Sequence, residues 1–136
     1  MTSGSRGSTL TRMSESLGLR LARAIADKDE SALRGVLADD VDFRGLTPRR
    51  AWEASTPDEV VDIAFGKWFT ESDHIVDDSI SEGEVVGDTA RVSYRLDIDN
   101  ADGSHVVEQQ VYYRGDTGGE DRIAYARVVC SGYRPR

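Results

Sequence analysis

One stretch constrains this chain more than any other. From Thr89 to Asp99 apolar and polar residues alternate without a break. Ala90, Val92, Tyr94, Leu96 and Ile98 fall on one face, and Arg91, Ser93, Arg95, Asp97 and Asp99 on the other. Period two with one apolar side marks a half-buried strand, and therefore an antiparallel sheet covered on one face. Upstream the period is 3.6. Leu17, Leu21, Ala24 and Ile25 form one apolar stripe with Arg20, Arg23 and Lys28 off it, within a helical pattern that begins at Leu10. Asp29 caps a second, short helix from Glu30 to Leu37. Thr56-Pro57-Asp58-Glu59 joins an N-cap, a first-turn proline and a capping box. It starts a third helix that carries Val60, Val61, Ala64, Phe65, Trp68 and Phe69.

The remaining segments fill in around these. Val41 to Arg44 reads as a short strand, Gly45 to Pro48 as a break, and Arg49 to Ser55 as irregular or briefly helical. After Thr70 a long strand runs from His74 to Val86 and turns at Gly87-Asp88. Asp102-Gly103 signals a hairpin into a strand from His105 to Arg114. A Gly/Asp-rich loop, Gly115 to Asp121, leads to a last strand from Arg122 to Ser131. Helices first and strands after predict an α+β fold: a curved antiparallel sheet wrapped around three N-terminal helices, a cone with an apolar pocket at its open end. The Ser/Thr/Gly-rich start, Met1 to Met13, reads as a disordered lead-in, and residues 14–136 as a single domain.

Composition narrows the function classes. Seventeen basic against 25 acidic residues leave a net charge of -8, which repels nucleic acid and anionic membranes. A single cysteine excludes an internal disulfide. His74 and His105, without a clustered carboxylate–histidine motif, make no metal site, and no glycine-rich loop precedes a helix to hold a nucleotide phosphate. The expectation is a cytoplasmic domain that uses no cofactor.

Two groups of residues carry a resemblance. Ala24-Ile25-Ala26-Asp27-Lys28-Asp29 with Leu37-Ala38-Asp39-Asp40-Val41-Asp42-Phe43, and Glu84-Val85-Val86-Gly87-Asp88-Thr89-Ala90-Arg91-Val92 opening the meander, resemble nuclear-transport-factor-2-like domains, including the SnoaL-like polyketide cyclases. The resemblance covers about residues 14 to 134. It implies the cystatin-like cone fold, shared by ketosteroid isomerase, limonene epoxide hydrolase, scytalone dehydratase and non-catalytic binding members. Motif matching places the isomerase's Asp base near Gly45 and its Tyr near Leu21, and neither residue can do that chemistry.

Other groups would then have to act. A two-residue loop at Asp102-Gly103 sets Tyr94 opposite Val111 and Leu96 opposite Gln109, so Val107, Gln109, Val111 and Tyr113 share Tyr94's face. Pairing Tyr113 with Ile123 puts Tyr125, Arg127, Val129 and Ser131 on the pocket side. The alternative face, Ala124, Ala126, Val128 and Cys130, stays open. On this reading Tyr94 and Arg127 polarise a substrate oxygen while His74 or Glu108 moves a proton. Trp52, Phe65, Trp68, Phe69, Gln109 and Tyr125 line the ligand site. Each has a plainer alternative: a core tyrosine, an exposed histidine, a surface Arg–Glu pair, a core of aromatics, a buried inert Cys130. Two functions are in play. One is a cofactor-independent isomerase, cyclase or dehydratase for an apolar polyketide-, terpenoid- or steroid-like molecule. The other is a non-catalytic ligand-binding or interaction domain. A homodimer through the outer sheet face fits both.

Overall fold

The computed structural model describes residues 16–115 and 122–136. The expected lead-in Met1–Met13, the helical start at Leu10 and the loop residues 116–121 lie outside the described residues. Two helices come first, α1 (Leu17–Ala26) and α2 (Glu30–Val36). Ser16 caps α1 by accepting from Leu19 N, and Asp29 caps α2 by accepting from Ala32 N, as residues with short side-chain oxygens do at N-caps. The apolar stripe of α1 is buried at Leu21, Ala24 and Ile25.

The strands are β1 (Leu37–Thr47), β2 (Arg50–Ala54), β3 (His74–Glu82), β4 (Ala90–Asn100), β5 (Gly103–Gly115), β6 (Ile123–Cys130) and β7 (Arg134–Pro135). Their order is β2-β1-β6-β5-β4-β3, with β7 paired to β5. All pairs are antiparallel except β1 with β6, so the sheet is mixed. The first strand is longer than the sequence suggested. Gly45 and Leu46 stay in β1, and the chain reverses at Pro48-Arg49 into β2, so the segment expected to be irregular or helical is an edge strand. Strand pairing overrides the local glycine signal there. At the other edge β3 stops at Glu82 rather than Val86, and a bulge at Val76 interrupts its register with β4.

Helix α3 (Pro57–Ile63) starts where expected, with Thr56 Oγ accepting from Glu59 N at 3.2 Å. The Glu59 carboxylate reaches one residue further back than a capping box requires, to Ser55 N at 2.8 Å. The helix then widens into a π turn, Ala64–Trp68, closed by Phe69 N donating to Ala64 O at 2.8 Å. This turn leaves Trp68 half-buried and Phe69 sealed in the core.

The core lies between the helices and the concave face, where Val92, Tyr94, Leu96 and Ile98 of β4 face inward as their alternation demands. No helix among the described residues is long and apolar enough to cross a membrane.

Candidate functional site

Register decides which polar groups reach the concave face. The β4–β5 hairpin turns on Ala101-Asp102, with Asn100 Oδ1 accepting from Asp102 N and Gly103 at φ 118°. The turn is centred one residue earlier than the Asp102-Gly103 signal implied, so every pair moves by two and Tyr94 faces Gln109 instead of Val111. A shift of two conserves faces, and Gln109 is still on Tyr94's side. The last strand behaves differently. Tyr113 pairs with Ala126 and Gln109 with Cys130, three residues from the expected register. An odd shift exchanges faces, so Ala126, Val128 and Cys130 point inward. A bulge beside Gly115 helps set this pairing.

One row of the concave face therefore reads Ile80, Tyr94, Gln109, Cys130. Tyr94 OH donates to Gln109 Oε1 at 2.5 Å, both side chains being almost wholly buried. Burial, and then the neighbouring Cys130, push the Tyr94 phenol far above its ordinary range, so it stays protonated. Gln109 Nε2 and Trp68 Nε1 are buried donors with no partner. The Trp68 ring lies over the neighbouring inward row, where Gly45 of β1 pairs with Val128 of β6. A Cβ built on Gly45 would fall 2.9 Å from the Trp68 ring and 3.8 Å from Val128. Phe43 and Trp52 complete the aromatic wall, with ring centroids 6.1 and 6.2 Å from Trp68.

The Tyr94–Gln109 pair gives a stability prediction. Tyr94→Phe strands the Gln109 amide in the core and is expected to cost about 1–3 kcal/mol, whereas adding Gln109→Met should recover most of that loss. Urea unfolding of the two variants and the parent measures it.

Segment Ser131–Arg136 folds across this end of the cone. Tyr133 OH lies 2.8 Å from Trp68 O and 3.0 Å from Asp73 Oδ2, and its ring stacks on Phe69 at 6.3 Å. Arg134 pairs with Glu108, and Arg136 with Asp97 and Asp99. Gly132, at φ 75°, sits where a Cβ would meet Pro48 Cγ at 2.7 Å, so only glycine allows this path.

Asp73 anchors the closure. Burial alone raises its carboxyl. Hydrogen bonds from Asn100, the Thr70 backbone, Tyr133 and the Thr70 hydroxyl outweigh that and hold it below the usual carboxylate range. A depressed folded-state value stabilises the fold above the unfolded pKa of about 3.9, and the contribution is lost as pH falls through the folded value. Stability should therefore fall below about pH 4, and less so in Asp73→Asn, in chemical denaturation at pH 3 and pH 6.

The structure does not bring the expected catalytic residues together. Tyr94 is inside. His74 is exposed at the start of β3, opposite Asp99 on the outer face. Glu108 is exposed and paired with Arg134. Arg127, expected in the pocket, is outside because of the register of β6. Its guanidinium bonds Asp42 O at 3.0 Å and the Asp42 carboxylate at 3.2 and 3.3 Å, and lies 4.0 Å over the Tyr125 ring. That hydrogen bonding holds the Asp42 carboxyl below its usual range.

Tyr125 is likewise an outer-face residue, stacked between Arg114 and Arg127. Of the expected lining, Trp68, Phe69 and Gln109 lie at the concave end. Trp52 lies behind Trp68 and donates to Thr47 Oγ1, and Phe65 packs against the core from the π turn. Sequence reasoning missed Asp73 and Tyr133. The Thr70-to-Asp73 spacing, which returns a carboxylate to a backbone N–H, was the signal for the first.

The two positions aligned with the isomerase pair are closed to that chemistry. Gly45 has no side chain and is covered by Trp68, and Leu21 is buried in the core.

No family model and no curated protein matches this sequence. Solved structures do match. A ketosteroid isomerase-like protein from Erwinia carotovora atroseptica superposes with a TM-score of 0.61 at 20% identity, over 88% of this chain and 92% of that one. A protein described as a SnoaL-like polyketide cyclase from Mesorhizobium loti gives 0.57 at 13% identity, over 82% and 94%. An LEH-like epoxide hydrolase from M. tuberculosis gives 0.58 at 9% identity, over 85% and 80%. At such identities the likeness is one of architecture. Three helices packed against an open mixed sheet, and these superpositions over most of both chains, give the chain the nuclear-transport-factor-2-like α+β cone fold.

Proposed function

We propose that this protein binds an apolar small molecule at the concave end of the cone, and that it does so without proton-transfer catalysis. The observation that carries this reading is the buried Tyr94–Gln109–Cys130 row of the concave face, in which Tyr94 and Gln109 are neutral polar groups set in the core that Phe69 shares and Trp68 packs against. Apolar walls with a few placed polar groups are the usual make-up of a ligand site. General acid/base work needs a group that titrates near working pH, and the imidazole and carboxylate first considered, His74 and Glu108, face outward.

One observation favours the second reading, a cofactor-independent isomerase, cyclase or dehydratase. His105 is inward on β5, its ring 5.9 Å from Tyr133, with Nε2 buried and unpartnered. Native mass spectrometry of the purified protein, with tryptophan fluorescence titration by naphthalene-type compounds, separates the outcomes. A bound apolar compound released unchanged supports binding. Chemical conversion of it, abolished by His105→Gln, supports the enzyme. No response to any apolar compound overturns both.

The outer face supplies a proposed homodimer surface. Leu46 and Val129, paired across β1 and β6, are 58% and 52% exposed, and Tyr112 lies on the adjoining strand. Paired apolar side chains left in water mark an association surface. Sedimentation velocity should give a dimer for the parent and a monomer for Val129→Glu, and a monomeric parent overturns it.

A further inference from the structure

We infer that the outer face of the sheet carries a ligand site of its own, a cleft beside the β3–β4 turn that takes an organic monocarboxylate on the guanidinium of Arg91. The cleft lies on the opposite side of the sheet from the concave end and does not depend on what binds there.

Register builds the place. Arg91 pairs with Tyr112, and both stand on the outer face because Val92 and Tyr94 point inward. The β3 and β4 backbones stay joined one step beyond Glu82, where Gly83 N donates to Arg91 O at 2.9 Å. A Cβ on Gly83 would fall 2.5 Å from Arg91 Nη2 and 2.7 Å from Cζ, and closer still to Nε. The missing side chain leaves room for the guanidinium to lie against β3, where Nε is buried without a partner. That contact orders a long side chain before any ligand arrives, which lowers the cost of binding. A cleft of about 420 Å³ opens beside it, lined by Glu84, Val86, Thr89, Ala90, Arg91 and Tyr112. Val86 is 77% exposed, in a turn closed by its bridge to Thr89. Thr89 Oγ1 accepts from Arg114 Nε at 2.9 Å, which leaves its hydroxyl proton to donate. An exposed apolar wall beside a cation suits a ligand with an apolar body and a negative charge.

The surrounding charges fix the class. Arg91 makes no ion pair among the described residues, although Glu84 lines the same cleft. The neighbouring cations are taken: Arg114 by Asp88 and the Tyr125 ring, Arg127 by Asp42 and the same ring. One uncommitted guanidinium matches one carboxylate, whose two oxygens fit its planar fork. A phosphate monoester brings nearly two charges, no second cation lines the cleft, and Glu84 opposes the excess. A cationic ligand would meet Arg91 itself.

Amide NMR titrations with 2-naphthoate, its neutral isostere 2-naphthamide, and 2-naphthyl phosphate test this. Naphthoate should shift the Gly83, Thr89 and Arg91 signals, and bind there about tenfold tighter than the amide and tighter than the phosphate. Arg91→Gln should erase the preference for naphthoate over naphthamide while the rest of the spectrum stays in place. Glu84→Gln, which removes a competing carboxylate from the cleft, should tighten naphthoate about threefold. Equal binding of naphthoate and naphthamide, or a preference that survives Arg91→Gln, overturns the carboxylate assignment. Tighter binding of the phosphate overturns it in favour of a dianion. Shifts confined to concave-end signals such as the Trp68 indole overturn the outer site and leave the concave-end reading standing. Shifts at Gly83 and Thr89 that appear only in Val129→Glu overturn it in favour of a second copy of the chain over the cleft.

Discussion

Gly45→Asp is expected to destabilise the protein by about 3–5 kcal/mol, and to create no isomerase. The position is where the resemblance to ketosteroid isomerase would put a general base, so the substitution looks like a restoration. The structure argues otherwise. A first side-chain carbon at Gly45 would lie 2.9 Å from the Trp68 ring, closer than carbon atoms approach without displacement. Overpacking of that kind costs about 1–3 kcal/mol. A carboxyl pushed among Phe43, Trp68 and Val128 then adds about 1–3 kcal/mol for a buried polar group with no partner. Gly45→Ala separates the two parts, since it carries the steric cost alone. Urea unfolding of both variants measures the difference as a shift in midpoint at constant slope. An aspartate variant within 1 kcal/mol of the parent would mean that Trp68 moves aside freely, and the wall it forms would not be a fixed part of the site.

Phe69→Ala is expected to cost about 3–5 kcal/mol, the range for removing a large aromatic from a packed interior. Phe69 is only 1% exposed and follows directly on the π turn that ends the third helix. Its ring stacks on Tyr133, so truncation leaves a cavity and also unseats the segment that closes the cone. The two effects are separable. Tyr133→Phe keeps the stack but removes the hydroxyl contacts with Trp68 O and Asp73, and should cost about 1 kcal/mol. Thermal or urea unfolding ranks the two variants. A Phe69→Ala loss no larger than that of Tyr133→Phe would show that the end of the cone collapses around the missing ring and that Phe69 walls nothing.

Much of the architecture was legible because it rests on short-range physics. The caps at Asp29 and Thr56 need only a side-chain oxygen three residues ahead of an N–H, and both are found as expected. The alternation from Ala90 to Ile98 follows from the pleat and put Tyr94 inside. Gln109 was on the correct face even though the hairpin register was misread by two residues, because parity is insensitive to an even slip.

The candidate site was less legible, for the same reason run in reverse. The loop into the last strand is too long to set register, and an error of three residues exchanged its faces. That carried Arg127 and Tyr125 from the pocket to the outside. Gly45-Leu46-Thr47-Pro48 reads locally as a break, yet pairing with β2 and β6 extends the strand through Thr47. The clasp of Tyr133 on Asp73 joins residues 60 apart in the chain, beyond the reach of any local pattern.

By itself, then, the sequence determined what local chemistry can determine: three helices, two of them with their caps at Asp29 and Thr56, a two-period meander, an acidic exterior and an inward Tyr94. Which groups meet at the concave end was decided by tertiary structure alone. Strand register, the parallel pairing of β1 with β6, and the return of Ser131–Arg136 across the opening depend on contacts between distant segments. An alternating strand presents the same pattern whichever neighbour it finds. Only the neighbour says which polar residue ends up inside the cone and which beside water.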